Sequence, residues 1–98
     1  MILSPFFRKA ARLEYDEAAL WYESQKVGLG SEFVTEIERA LQTACESPQR
    51  YPDVHEDARR IRVHRFPYSI FYRIRGERLI VLSVFHARRD PVIWRERV

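Results

Sequence analysis

Residues 65–94 read RFPYSIFYRIRGERLIVLSVFHARRDPVIW, and this stretch decides the fold. Apolar and polar residues alternate along two arms on either side of Gly76 and Glu77, which is the pattern of a β-hairpin with a two-residue turn. Glycine takes the positive φ that such a turn needs. With Gly76 and Glu77 as the loop, the expected pairs are Ile74 with Leu79, Arg73 with Ile80, Phe71 with Leu82, Ser69 with Val84, and Pro67 with His86.

This register sorts the hairpin into two faces, because successive strand residues point to opposite sides of a sheet. One face is uncharged and is expected to meet the core through Tyr68, Ile70, Tyr72, Ile74, Leu79, Val81, Ser83 and Phe85. The other face mixes apolar and basic side chains: Arg65, Ser69, Phe71, Arg73, Ile80, Leu82, Val84 and His86. A soluble protein rarely leaves such an apolar patch in water. Either another segment of the chain or a partner therefore covers this second face.

The rest of the chain supplies helices and further strands. Residues 4–8 form a short strand, and apolar residues at helical spacing predict a helix from Lys9 to Gln25. Gly28 stops that helix, Ser31 serves as the N-cap of a second helix, and Pro48 ends it. Two antiparallel helices joined by a short turn follow from this spacing.

The segment before the hairpin and the segment after it complete the architecture. Residues 49–60 are polar and are interpreted as a loop, whereas residues 60–66 alternate as a strand. Pro91 opens a short helix through Trp94 to Arg97. The expected fold class is α+β: one domain over residues 1–98, with an N-terminal helical hairpin on one face of a small, mainly antiparallel sheet and a short C-terminal helix.

The composition limits the compartment and the chemistry. The chain has one cysteine, Cys45, so no intrachain disulfide can form, which fits a reducing compartment. No run approaches the length needed to span a bilayer, and no signal-peptide pattern is present. The expected location is the cytoplasm, with no membrane partner. Cys45 and the three histidines lack zinc-site spacing and no glycine-rich phosphate loop occurs, so neither a metal nor a cofactor is expected.

The charge is distributed unevenly along the chain. Residues 1–50 carry a net charge of −2, whereas residues 59–98 carry +8, and fifteen of the seventeen basic residues are arginine. Arginine forks onto phosphates and carboxylates and remains charged at any ordinary pH. The C-terminal part is therefore expected to meet an anionic partner, either nucleic acid or an acidic protein segment.

One group of residues could support catalysis. Arg65, Arg73 and His86 fall on the second face of the hairpin, and Arg88, Arg89 and Trp94 follow in the tail. A neutral histidine could act as a base, arginines could hold a phosphate, and a tryptophan could stack on a nucleobase, which are the parts of a metal-independent ribonuclease. The alternative interpretation is that His86 only caps the strand end and bonds to the backbone.

Five segments, in this order, resemble the RelE/ParE superfamily of type II toxin–antitoxin toxins. They are Trp21-Tyr22-Glu23, Gly28-Leu29-Gly30-Ser31-Glu32-Phe33, Pro48-Gln49-Arg50-Tyr51-Pro52, Arg65-Phe66-Pro67-Tyr68, and His86-Ala87-Arg88-Arg89-Asp90-Pro91 with Trp94. The resemblance covers nearly the whole chain. It implies a growth-inhibiting toxin with a helical hairpin on a small antiparallel sheet, neutralised by a cognate antitoxin.

The superfamily has two effector branches, and the resemblance to the ParE-like branch is the stronger. That branch implies binding and poisoning of DNA gyrase, with Arg88, Arg89 and Trp94 as candidate residues for contact with the target or nucleic acid. The RelE-like branch implies ribosome-dependent cleavage of mRNA, and Arg65, Arg73 and His86 would then be catalytic. Against it, the chain has only two lysines, neither in the basic half, and no tyrosine after Tyr72.

The second face of the hairpin is the expected antitoxin site. A small, acidic and amphipathic antitoxin segment could bury Phe71, Ile80, Leu82 and Val84 and pair with the neighbouring arginines. The same surface is expected to serve whether the toxin acts on gyrase, acts on mRNA, or only binds its antitoxin.

Overall fold

A computed structural model describes residues 2–98. The elements, in chain order, are β1 (Ser4–Phe7), α1 (Lys9–Gln25), α2 (Leu29–Glu46), β2 (Asp53–His55), β3 (Ala58–Arg62), β4 (Tyr68–Arg75), β5 (Arg78–His86) and α3 (Val92–Arg95). The five strands form one sheet in the order β1-β5-β4-β3-β2. β1 runs parallel to β5 and the other pairs are antiparallel. The expected α+β class, with a helical hairpin on a mainly antiparallel sheet, is confirmed.

The helical hairpin agrees with its expected bounds in α1 and begins earlier than expected in α2. Gly28 takes a φ of 90°, and the helix starts at Leu29, three residues before the start implied by an N-cap at Ser31. The reason is Glu23 of α1, whose carboxylate accepts hydrogen bonds from the backbone N–H groups of Gly28 and Gly30, both at 3.0 Å. A side chain of the preceding helix thus binds backbone amides at the N-terminal end of α2.

The two helices approach each other closely at Gly30. A Cβ atom at this position would lie 2.7 Å from the carbonyl oxygen of Ala19. Only glycine therefore lets α2 pass α1 at this distance.

None of the helices within residues 2–98 is long and apolar enough to cross a membrane.

The β4–β5 hairpin has the expected turn but a different register beyond it. Gly76 has a φ of 59°, and the pairs Ile74–Leu79 and Arg73–Ile80 are as expected. A β-bulge then inserts Leu82 into β5, because Tyr72 pairs with Val81 and Phe71 pairs with Ser83. From there the predicted pairs are wrong by one residue: Phe71 does not face Leu82, Ser69 faces Phe85, Ile70 faces Val84, and Tyr68 faces His86.

The bulge exchanges two large side chains between the faces of the sheet, because one extra residue reverses the alternation that follows it. Val84 joins the core under α1 and α2, and Phe85 joins the opposite side. We call that opposite side, turned away from α1 and α2, the far face. The predictions that Val84 lies on the far face and that Phe85 packs under the helices are therefore wrong.

The core accordingly has two parts. The larger part lies between the helices and the sheet and includes Tyr15, Phe33, Ile37, Ile70 and Tyr72. The smaller part lies on the far face and is closed by α3. Its buried members are Ala58, Phe71, Leu82, Phe85 and Trp94. The second face of the hairpin is thus covered by another segment of the same chain.

Two sequence interpretations outside the hairpin also need correction. The stretch 49–60 contains a short strand, β2, and β3 spans Ala58–Arg62 in place of residues 60–66. A tight turn at Glu56, which takes a φ of 51°, joins these two strands. A strand of three residues is too short to show a recognisable alternation.

Candidate functional site

A cleft of about 500 Å³ opens on the far face, between β3, β4 and the tail, which we define as residues 87–98. Four arginines line it: Arg60, Arg62, Arg89 and Arg95. Ile61 is buried under the helices, so its neighbours Arg60 and Arg62 must point to the far face. The turn after β5 contributes Arg89, and α3 contributes Arg95. We call this feature the cationic cleft.

The floor of the cationic cleft is aromatic and tightly closed. The indole of Trp94 stacks on the ring of Phe71 with centroids 3.8 Å apart and an angle of 11° between the planes. Phe85 meets Phe71 edge-on at 5.9 Å. Each of the three side chains is only 4% exposed. The rings therefore hold α3 in place and leave little surface on which a nucleobase could stack.

Three of the four arginines form no salt bridge among the described residues. Within residues 2–98, no carboxylate lies within salt-bridge distance of Arg60, Arg62 or Arg95. Arg95 instead lies over the Trp94 ring, 5.6 Å from its centroid. Their neighbours are neutralised: Arg59 pairs with Asp53, and Arg89 pairs with Glu14. The cleft therefore concentrates positive charge that the chain itself does not balance.

Glu14 of α1 ties the tail to the sheet. Its carboxylate accepts hydrogen bonds from Arg89 Nη1 at 2.6 Å, from Arg97 Nη1 at 2.8 Å and from Ser83 Oγ at 2.8 Å. Burial by itself raises the pKa of Glu14, but these donors outweigh it and hold the pKa below its ordinary value of 4.5. The ionised carboxylate fixes the turn and the tail that carry Arg89 and Arg95.

The same network closes the open edge of β5. β1 pairs with residues 78–81, and no other strand among the described residues flanks the bulged part of β5 on that side. There the backbone N–H of Val84 donates to Glu14 at 3.1 Å, and the carbonyl of Leu82 accepts from Arg97 at 3.0 Å. Side chains thus satisfy backbone groups that a neighbouring strand would otherwise pair.

The proposed catalytic group does not assemble. Arg65, in the connection between β3 and β4, bonds to Glu32 of α2, whereas Arg73 forms a hydrogen-bonded pair with Asp57. His86 packs edge-on against Tyr68 with centroids 5.1 Å apart, and its Nδ1 accepts the backbone N–H of Arg88. Because Tyr68 pairs with His86 beyond the bulge, His86 points to the helix side. Arg73 pairs with Ile80 on the far face, and Arg65 lies outside the strands, so the expectation that the three share one face is wrong.

Two of the three candidate target-binding residues lie in the cationic cleft. Arg89 and Trp94 line the cationic cleft, whereas the Arg88 side chain does not. Sequence reasoning missed Arg60, Arg62 and Arg95. A signal for the first two was present, because Arg60 and Arg62 flank Ile61 in an alternating strand. Their position next to the tail, however, depends on the pairing of β3 with β4.

The expected antitoxin patch is not an open surface. Phe71, Leu82 and Val84 are buried, and Ile80 is partly buried. Trp94, Ile93 and Val98 of the tail pack on this side of the sheet. Val84 lies on the other side altogether. A partner that contacts the far face therefore meets the cationic cleft and α3 first.

Comparisons with known proteins identify a family from the sequence and a related fold from the structure. The sequence profile described as "ParE toxin of type II toxin-antitoxin system, parDE" matches residues 6–91. The fold resembles a solved structure titled "Chromosomal ParDE TA system from P. aeruginosa", with a TM-score of 0.74 and 16% sequence identity over 89% of this chain and 98% of that chain. No curated protein is similar enough to match. At 16% identity the structural likeness shows the fold, and the profile match shows the family.

Proposed function

The chain belongs to the ParE toxin family of type II toxin–antitoxin systems, and from this premise we propose that it inhibits growth by binding DNA gyrase through the cationic cleft. The toxin role follows from the family, and so does a cognate antitoxin as partner. The choice of gyrase, the cleft as the contact surface, an acidic antitoxin and a cytoplasmic site of action are the parts that we propose.

The observation that carries the proposal is the composition of the cleft. Among the described residues that line it there is no aspartate, glutamate, histidine, lysine or cysteine. The only other ionisable side chain among these described residues is that of Tyr68, whose pKa is raised by burial, so its phenol stays protonated near neutral pH. A site with arginines and no general base suits binding of an anionic surface better than hydrolysis.

The ribonuclease alternative finds no support in the geometry. It requires Arg65, Arg73 and His86 to act together, and each is engaged elsewhere. A general base must come within hydrogen-bonding reach of the substrate proton, while the charge clamp holds the same phosphate. The separation of these residues therefore favours the gyrase proposal.

The test is a gyrase assay with purified toxin. We expect the toxin to inhibit supercoiling of plasmid DNA and to accumulate cleaved DNA. The double variant Arg60→Ala/Arg62→Ala should weaken inhibition by about tenfold or more, since the loss of about 1.4 kcal/mol of binding free energy corresponds to a factor of ten.

The matched control is Arg50→Ala/Arg78→Ala. It removes the same charge from two exposed arginines outside the cleft, which lie over Tyr51 and Phe6. Its inhibition should stay within about twofold of the parent protein. If the toxin leaves gyrase unaffected and instead produces codon-phased mRNA fragments in a translating extract, gyrase is not the target. Equal losses of inhibition in the two double variants would mean that inhibition depends on the net charge of the toxin and not on the cleft.

A further inference from the structure

Within residues 2–98, no strand pairs with the outer edge of β3 over much of its length. Pairing with β2 ends at Arg59, so the following residues have β4 on one side only. The backbone N–H of Val63 donates to Tyr68 of β4 at 2.9 Å. Because neighbouring strand residues direct their backbone groups to opposite sides, the N–H and C=O of Arg62 point to the open side. This edge can accept another strand.

The open edge separates two cavities. On the far face lies the cationic cleft, with Arg60 and Arg62 at its rim. On the helix side lies a groove of about 310 Å³ between β3 and α2. Ile61, Ala40, Thr43 and Arg39 are among its lining residues, and Arg62 lines both cavities. Side chains of an added strand would therefore enter the two cavities alternately.

We propose that this edge binds an extended, acidic segment of the cognate antitoxin as a sixth strand. Residues of the segment opposite Arg60 and Arg62 carry carboxylates, and the residue opposite Ile61 is small and apolar, because directly opposed side chains share a face. The inference rests on the proposed role of the chain as a toxin neutralised by an acidic antitoxin. It adds the surface, the backbone geometry and the acidic–apolar–acidic pattern of the segment.

The positive charge of the β3 edge and the burial of the aromatic rings in the cleft favour an acidic peptide over two other ligands, a second copy of the chain and single-stranded nucleic acid. A second copy of the chain joined edge to edge would bring Arg60 and Arg62 of both copies together, and like charges on paired strands repel. Single-stranded nucleic acid needs exposed rings on which to stack. The aromatic residues of the cleft floor, Phe71, Phe85 and Trp94, are each 4% exposed. A peptide supplies both carboxylates for the arginines and backbone groups for the edge.

Strand addition also explains how neutralisation would occur. The carboxylates opposite Arg60 and Arg62 would lie in the cationic cleft, which is the surface proposed to contact gyrase. Antitoxin and target would then compete for the same unpaired arginines. The apolar residue on the helix side would contact the groove lined by Ile61 and Ala40. Release of this one strand would expose the whole cleft.

The direct test is amide hydrogen exchange of Arg62 measured by NMR. The probe is an acetylated and amidated heptapeptide of alternating glutamate and valine, and its control carries lysine in place of each glutamate. At saturation the glutamate peptide should slow exchange of the Arg62 amide by about tenfold or more, because that N–H gains a backbone acceptor. The Val63 amide already bonds to Tyr68 and should hardly change. The lysine peptide should leave both amides unchanged.

A pair of variants separates backbone pairing from charge. Arg62→Ala removes the guanidinium and keeps the N–H, whereas Arg62→Pro removes both. Proline is tolerated where the N–H points away from the neighbouring strand, so both variants should keep the fold. We expect Arg62→Pro to weaken peptide binding by about fivefold or more beyond Arg62→Ala, the effect of one backbone hydrogen bond. If the proline variant does not fold, protection of the Arg62 amide in the parent protein remains the test of strand addition.

Several results would overturn the proposal. One is an Arg62 amide that exchanges at the same rate with and without the glutamate peptide, and another is equal weakening by the two variants. A free toxin that sediments as a dimer with Arg62 already protected would assign the edge to a second copy. Protection of the same amide by an octathymidylate would assign it to nucleic acid. Gyrase inhibition is measured separately on the same preparation, so failure here leaves that proposal standing.

Discussion

At the scale of single residues, Glu14 has the most consequential set of contacts. It accepts hydrogen bonds from two arginines, one serine and one backbone amide, and thereby joins α1, β5 and the tail. Its side chain is 12% exposed, so these bonds are largely shielded from water. Removing the charge would leave Arg89 and Arg97 without their shared partner, and an unpaired charge near the interior is costly.

We expect Glu14→Gln to lower the free energy of unfolding by about 2 kcal/mol, the range of hydrogen bonds to charged groups. The amide oxygen can still accept one or two bonds but attracts the arginines weakly. Urea denaturation at neutral pH measures the effect. Glu17→Gln, an exposed position on the same helix, is the control and should change stability by less than about 0.5 kcal/mol. Equal effects of the two variants would contradict the role given to Glu14.

At the scale of elements, α3 is held against the sheet chiefly by the side chain of Trp94. The helix spans only Val92–Arg95, too short to be stable alone. Trp94 holds it by stacking on Phe71, while Arg97 anchors the following residues through Glu14. The element that supplies Arg95 to the cationic cleft is thus positioned by packing against the far face.

We expect Trp94→Ala to release α3, to expose Phe71 and Phe85, and to destabilise the protein by about 3 kcal/mol, as for other buried aromatic side chains. Increased binding of a hydrophobic dye and a lower thermal midpoint would report the change. Trp21→Ala removes the same side chain from a position that is 58% exposed. It should cost less than about 1 kcal/mol. A Trp94→Ala protein that keeps its midpoint and binds no dye would show that Arg97 alone retains the tail.

At the scale of the whole molecule, ionised carboxylates hold the basic C-terminal part onto the rest. Glu14 links α1 to Arg89 and Arg97. Asp57, in the turn between β2 and β3, pairs with Arg73 and Arg75 of β4. Hydrogen bonds from Arg73 and Arg75 lower the pKa of Asp57 to about 2. Asp57 is nearly half exposed, so solvent screening makes its contribution smaller than that of Glu14.

These pKa values predict the direction of the pH dependence. Both groups have folded-state pKa values below their ordinary ones, so their stabilisation is present above the ordinary pKa and is lost as pH falls through the folded pKa. The contribution of these two carboxylates to the unfolding free energy should be constant from about pH 7 to about pH 5 and should decline below about pH 4.5. A shallower acid decline in Glu14→Gln would confirm the assignment. Identical declines in the parent and the variant would contradict it.

Local sequence determined α1 and the turn of the β4–β5 hairpin. The bounds of α1 coincide with those expected from the spacing of Ala11, Tyr15 and Ala18, because a helix face repeats every three to four residues. The turn at Gly76 fixed the first two pairs of the hairpin, since only the local backbone decides them. The family resemblance rested on segments distributed along the chain and was confirmed by the profile match.

Tertiary structure decided which residues meet. The bulge at Leu82 reversed the faces of Val84 and Phe85, and no local pattern marks it, because its exposed backbone groups are satisfied by Glu14 and Arg97 from distant parts of the chain. In the same way, Arg60 and Arg62 join Arg95 in one cleft only after β3 pairs with β4 and Trp94 docks α3. Alternation shows that side chains share a face, but pairing and packing over long sequence distances determine their neighbours.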